Sequence, residues 1–109
     1  MASLLPYRAT TASGERFDIS FPLHPHTASP TRVAQMLTAI LGALDVEVGI
    51  DPATSNGDVL QAVAMALAIR AAMIDAPKDL TDLLSVELVT ATLAAMDDAE
   101  RHYTHLGHA

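Results

Sequence analysis

Two kinds of hydrophobic pattern divide the chain near residue 29. Between residues 7 and 21, apolar and polar side chains alternate, most regularly where Phe17, Ile19 and Phe21 are separated by Asp18 and Ser20. A period of two, interrupted by turn residues at 12–15, is typical of a β-hairpin. Because an isolated hairpin is marginal in water, we expect it to pack on another element.

After residue 29 the apolar positions recur every three or four residues, which predicts α-helices. The predicted helices span about residues 30–45, 56–76 and 80–104. The protein is therefore predicted to be mainly α, with a three-helix core and an N-terminal β-hairpin arm over about 7–21. A second alternation at 46–50 predicts one short strand that could extend the hairpin.

Two of the predicted helices carry strong start signals. Ser29 followed by Pro30 combines a preferred N-cap residue with a proline at the first helical position. Ser55 and Asp58 have the spacing of a capping box, with Asp in place of the usual Glu. These signals fix where the first and second helices should begin.

The second helix is apolar around most of its circumference. Its first apolar face carries Val59, Val63, Leu67 and Ile74, and a neighbouring face carries Met65, Ile69 and Met73. A helix of this kind needs partners on several sides. In a chain with three helices the simplest further partner is a second subunit, so we expect a homodimer or a higher homo-oligomer that completes the core.

Length and charge bound the domain organisation and the partners. The 109 residues predict a single domain over 1–109, made of an extended arm and connector (1–29) and a helical body (30–109). The net charge is +1 over residues 1–32 and −8 over 33–109, which disfavours nucleic acid and anionic membranes. The N-terminus has no signal-peptide pattern and the uncharged runs are short, so we expect a cytoplasmic protein with no membrane partner.

The C-terminal residues Asp98, His102 and His105 are the candidate metal ligands. Their spacing of four and then three residues would place them on one face of a helix. Imidazole nitrogens and a carboxylate suit a divalent transition metal such as zinc, nickel or iron. The alternative is that these histidines only face the negative end of the helix dipole near a fraying terminus.

Arg70 lies on the second-helix face that the pattern predicts to be buried. A buried guanidinium needs a carboxylate partner. If helices two and three run antiparallel about the turn at residues 77–79, Glu87 falls near Arg70. We therefore predict a structural Arg70–Glu87 ion pair between the helices, with an anion-binding arginine as the alternative.

No sequence motif identifies a reaction. The chain has no Walker loop, dinucleotide fingerprint, nucleophile elbow or paired-histidine zinc motif, and it has no cysteine. The leading hypothesis is a small helical module for oligomerisation and protein interaction. The alternatives are a small metal- or ligand-binding enzyme subunit that uses the Asp/His face, and a carrier for an apolar ligand held between methionine-lined helices.

Overall fold

The computed structural model describes residues 3–11 and 14–103, and for His102 and Tyr103 it describes the backbone alone. In chain order the elements are β1 (Leu4–Thr10), β2 (Glu15–Pro22), α1 (Pro30–Ile50), α2 (Asn56–Ala72), α3 (Lys78–Asp97) and β3 (Glu100–Tyr103). Within this part of the chain, three helices accompany one antiparallel sheet of order β1-β2-β3. The prediction of a mainly α protein with an N-terminal hairpin is confirmed.

The hairpin joins β1 to β2 in a register that pairs Tyr7 with Ile19. Its turn is closed by the Thr11 amide, which donates to the Glu15 carbonyl at 2.8 Å. Gly14 adopts a φ of 90°, a left-handed conformation that glycine accommodates without steric cost. The hairpin begins three residues earlier than the sequence pattern indicated, at Leu4.

Pro6 on β1 removes a backbone hydrogen-bond donor from the outer edge of the sheet. The Leu23 amide donates to the Ser3 carbonyl, and in the alternating antiparallel ladder this directs the odd-numbered residues of β1 towards β2. Pro6 therefore occupies an outward-facing backbone position, where a missing N–H costs the sheet nothing. An edge that lacks this donor is a poor template for a further strand.

The third strand corrects the predicted end of the third helix. α3 ends at Asp97 instead of about 104, and Glu100–Tyr103 pair with β2 so that Arg101 lies opposite Phe17. Consecutive aspartates at 97 and 98 are unfavourable beside the negative end of the helix dipole. The exposed edge of β2 offers the following residues backbone partners instead, which helical periodicity could not reveal.

Side chains of β2 and β3 also hold this strand pair together. The Arg101 guanidinium lies 4.8 Å from the centre of the Phe17 ring and its Nε is 3.0 Å from a carboxylate oxygen of Glu15. On the other side of the sheet, Arg8 donates to Asp18 at 2.8 Å across β1 and β2.

α1 begins as predicted and runs further than predicted. The Arg32 amide donates to the Ser29 side chain at 3.1 Å, which confirms the N-cap. The helix continues to Ile50, and the Asp51 amide still donates to the Glu47 carbonyl. The end at residue 45 and the short strand at 46–50 were therefore wrong. The apolar residues Val46 and Ile50 also have helical spacing, so alternation over five residues was ambiguous.

α2 begins at a complete capping box and ends four residues early. The Asp58 amide donates to the Ser55 hydroxyl at 3.0 Å, and the Ser55 amide donates to the Asp58 carboxylate at 3.1 Å. The helix ends at Ala72, with Met73 as its C-cap, instead of at 76. After Met73 the backbone bonds run over three and then two residues, from Ile74 to Ala71 and from Ala76 to Ile74, so the helical pattern is lost before Pro77 disfavours it at residue 76.

Contacts divide the chain into two compact units, residues 1–37 with 90–109 and residues 38–89. In the first unit Ile19 is only 5% exposed. In the second unit Thr81 is 6% exposed, and its hydroxyl donates to the Lys78 carbonyl within the first turn of α3. The units do not follow the predicted division at residue 29, and the prediction of one domain over 1–109 stays a prediction.

Candidate interaction surface

The helices expose most of their large apolar side chains. No apolar residue of α1, α2 or α3 is buried, and Thr81 is the one buried residue on these three helices. The large apolar side chains that are exposed on them are Met36, Ile40, Leu41, Val46, Val48, Ile50, Leu60, Val63, Met65, Leu67, Ile69, Leu80, Leu83, Val86, Leu88, Val89, Leu93 and Met96. Exposed apolar surface makes these helices candidates for contact with another protein, a membrane or an apolar ligand.

α1 carries apolar side chains on two faces. On the face predicted from the sequence, Val33, Leu37 and Leu44 are half-buried, while Ile40 and Leu41 are exposed. A second set of small and apolar side chains lies about 120° around the helix and is exposed from residue 36 to residue 50. We call it the α1 seam, and it consists of Met36, Ala39, Ala43, Val46 and Ile50.

The α1 seam was missed by the sequence reasoning because the helix was ended at residue 45. Once α1 extends to Ile50, the seam residues are spaced alternately by three and four positions. This is the spacing of the core positions of a coiled coil. The signal was present in the sequence, but the alternation at 46–50 pointed to a strand.

The charges at the two ends of α1 oppose its own dipole. Its first turn has no acidic residue and contains Arg32, and its last turn has no basic residue and contains Glu47. The positive end of a helix dipole favours anions and the negative end favours cations. Neither charge therefore stabilises the helix that carries it.

The first unit contains an open cleft of about 1070 Å³ beside the sheet. Arg8 and Asp18 form part of its lining from the strands, while Ala91, Ala94 and Asp98 form part of it from α3 and the residue after it. Asp18 is already paired with Arg8 at 2.8 Å, and Arg16 lies 3.6 Å from its second oxygen. The carboxylate of Asp18 is thus engaged in holding the sheet.

The second unit contains a groove of about 630 Å³ that is lined by residues of α2 and α3. On the α2 side the lining is apolar and consists mostly of alanines, with Ala64, Ala68 and Ala71 beside the larger Leu67. Lys78 and Asp82 form an ion pair at its rim. The polar groups lie on the α3 side, where the Thr81 and Ser85 hydroxyls already donate to backbone carbonyls of Lys78 and Thr81.

The predicted metal ligands do not share a helical face. Asp98 follows the end of α3 and is exposed, His102 belongs to β3, and His105 lies outside the described residues. Within residues 3–11 and 14–103, the side chains that are described form no group of three that could hold a metal ion. The helical geometry assumed for the site is therefore wrong, while metal binding by these residues stays a prediction.

The predicted Arg70–Glu87 ion pair does not form in this structure. Both residues are exposed, and the guanidinium of Arg70 lies 3.2 Å from the sulfur of Met73, the C-cap residue of α2. The salt bridges found among the described residues include none to Arg70. The prediction assumed that this face of α2 is buried by α3, and an exposed guanidinium needs no partner because water solvates it.

α1 also meets the length and hydropathy expected of a membrane span. In the part of the chain that the structure describes, Pro30–Ile50 is one such helix, with a mean hydropathy of 1.6. Its uncharged portion runs only from residue 33 to 44, because Asp45 and Glu47 follow. Twelve residues of helix span about 18 Å, which is short of the roughly 30 Å hydrocarbon core of a bilayer.

Comparison with known proteins adds no relative. No protein-family model matches the chain, and no curated protein or solved structure matches it either.

Proposed function

We propose that this chain is a homo-oligomerisation module whose helices complete their core against a second copy. The observation that carries the proposal is that α1 and α2 bury none of their apolar side chains, and α3 buries only Thr81. Burial of apolar area is the dominant favourable term in both folding and association. Helices that leave this area in water gain stability when another surface covers it.

The exposed apolar side chains support a partner of substantial size. Leu60, Val86 and Leu93 are 71%, 63% and 65% exposed, and exposed apolar side chains occur on all three helices. A standard protein interface buries about 800 Å² on each partner, and obligate homodimers bury more.

Charge and composition favour another protein surface over nucleic acid. The net charge of −7 repels phosphates, and the exposed helical faces carry few basic residues. Alanine-rich faces allow helices to approach closely, and the helices expose no aromatic ring on which a base could stack. A second copy of the same chain offers matching apolar faces at the same concentration.

Analytical ultracentrifugation between about 1 and 100 µM tests the proposal directly. We expect a mass of about 23 kDa or a higher multiple of the 11.5 kDa chain. A stable monomer across this range would overturn the proposal. Adding phosphatidylcholine–phosphatidylglycerol vesicles separates the membrane alternative, because a chain that is monomeric alone and floats with vesicles uses its apolar helix for lipid.

A further inference from the structure

We propose that α1 pairs with α1 of a second copy in an antiparallel, two-fold symmetric interface formed by the α1 seam. This inference rests on the proposed homo-oligomerisation and adds the surface and orientation of the contact. It follows from three properties of α1, namely the spacing of the seam, its exposure, and the charges at the helix ends.

The spacing of the seam reads the same in both directions. From Arg32 through Met36, Ala39, Ala43, Val46 and Ile50, the steps are four, three, four, three and four residues. A two-fold axis near the level of residue 41 then places Met36 opposite the partner's Val46 and Ala39 opposite the partner's Ala43. A two-fold interface requires this self-complementarity, because the same patch must face itself.

The seam has large residues towards its ends and alanines at its centre. Val46 and Ile50 are 63% and 72% exposed, and Met36 is 44% exposed. The alanines allow the two helix axes to approach closely, and the larger side chains then pack on each side of the crossing. Ile40 and Leu41 outside the seam are exposed as well, so exposure alone does not select the seam, and the choice rests on its spacing and on the charges at its ends.

The charges at the ends of α1 select the antiparallel orientation. In this arrangement Arg32 lies near the partner's Glu47, and each charge also meets the end of the partner's helix dipole that favours it. Arg32 already donates to Gln35 at 3.3 Å, which uses one of its five N–H groups. In a parallel pair, Arg32 would lie beside the partner's Arg32 and Glu47 beside the partner's Glu47. Both contacts would bring like charges together and would be repulsive.

Disulfide trapping tests the orientation, since the chain has no cysteine of its own. Ala39→Cys carrying an affinity tag is mixed with untagged Ala43→Cys under mild oxidation. We expect the mixed disulfide to exceed both homodisulfides, because residues 39 and 43 face each other across the axis. Thr38→Cys is the matched control, since it lies on the same helix about 120° away from the seam and should cross-link poorly with either variant.

The outcomes separate this inference from the proposed function. Dominant homodisulfides at 39 and 43 indicate parallel helices and overturn the inference. A dimer in ultracentrifugation with no seam cross-link also overturns it, while homo-oligomerisation stands. A chain that is monomeric at all concentrations overturns both.

Charge reversal provides a second test that does not depend on cysteine chemistry. Arg32→Glu or Glu47→Arg alone should weaken the dimer Kd about tenfold, since each creates two like-charge contacts across the axis. The double variant should return to within about threefold of the original Kd, because the swapped pair attracts again. Each single change improves the charge–dipole match of its own helix, so a weaker dimer does not reflect a weaker helix.

Asp45→Arg is the control for Glu47→Arg. It changes the net charge equally but lies about 140° from the seam, so it should leave the Kd unweakened. The pairing would be overturned if Asp45→Arg and Glu47→Arg weakened the dimer equally. It would also be overturned if the double variant, with Arg32→Glu and Glu47→Arg together, formed a dimer no tighter than that of either single variant.

Discussion

At the scale of single residues, Ile19 shows how a strand pattern becomes a buried contact. It lies between Asp18 and Ser20 on β2, pairs with Tyr7 on β1, and is 5% exposed, while the next residue Ser20 is exposed. The alternation of Phe17, Ile19 and Phe21 predicted this orientation from the sequence. Its depth of burial, by contrast, depends on what packs over the sheet.

Replacing Ile19 with Ala should lower the free energy of unfolding by about 2–4 kcal/mol, because it removes buried methyl groups and leaves a cavity. Leu4→Ala is the matched control on the same sheet, since Leu4 is mostly exposed and should cost less than about 1 kcal/mol. Urea unfolding at one fixed protein concentration measures both. Equal losses from the two variants would show that Ile19 is not the packing centre of the sheet.

At the scale of elements, the sequence located helix starts better than helix ends. Ser29 and Ser55 cap α1 and α2 where their side chains predicted, because an N-cap is a local contact between a side chain and nearby amides. The ends at Ile50, Ala72 and Asp97 all differ from the predicted ones. A helix end depends on competition between further helical turns and other conformations, including the strand pairing of β3.

The capping box of α2 gives a prediction at this scale. Ser55→Ala removes the acceptor of the Asp58 amide and should destabilise the protein by about 1 kcal/mol. Gly57→Ala should act in the opposite direction by about 0.5–1 kcal/mol, because alanine favours helix and its Cβ meets only the Ser55 hydroxyl at 3.6 Å. Urea unfolding of both variants checks the signs, and a loss on Gly57→Ala would mean that residue 57 needs glycine.

At the scale of the whole molecule, the helices leave a large apolar surface exposed to water. The chain combines an apolar half with helices that expose their large side chains. If a second copy covers this surface, folding and association are linked, and stability depends on protein concentration. A monomeric fold has no such dependence.

The melting temperature should therefore rise with concentration. For a dimer of two 109-residue chains that unfolds to monomers, a tenfold increase should raise Tm by about 3 °C, from the usual unfolding enthalpy per residue. Scanning calorimetry over two decades of concentration measures the shift. The Arg32→Glu variant, with its weaker association, should melt lower at each concentration, and an unchanged Tm in the parent protein would contradict linked folding and association.

The candidate surface was only partly predictable. The broad apolar circumference of α2 indicated from sequence that partners are needed on several sides, and its exposed Leu60, Met65 and Ile69 are consistent with that need. The α1 seam was not found, because it emerges only when α1 continues past residue 45. The predicted Arg70–Glu87 pair failed because it required a particular packing of two helices, and a periodicity within one helix does not specify that packing.

The sequence by itself determined the local structure, namely the hairpin, the number of helices and two helix starts. These features depend on contacts between residues close in the chain, so residue type and spacing are sufficient. Only the tertiary structure decided that residues 100–103 leave the helix to join β2 and which apolar faces remain exposed. Strand pairing and burial depend on groups far apart in sequence, whose free energies compete in ways that no local pattern records.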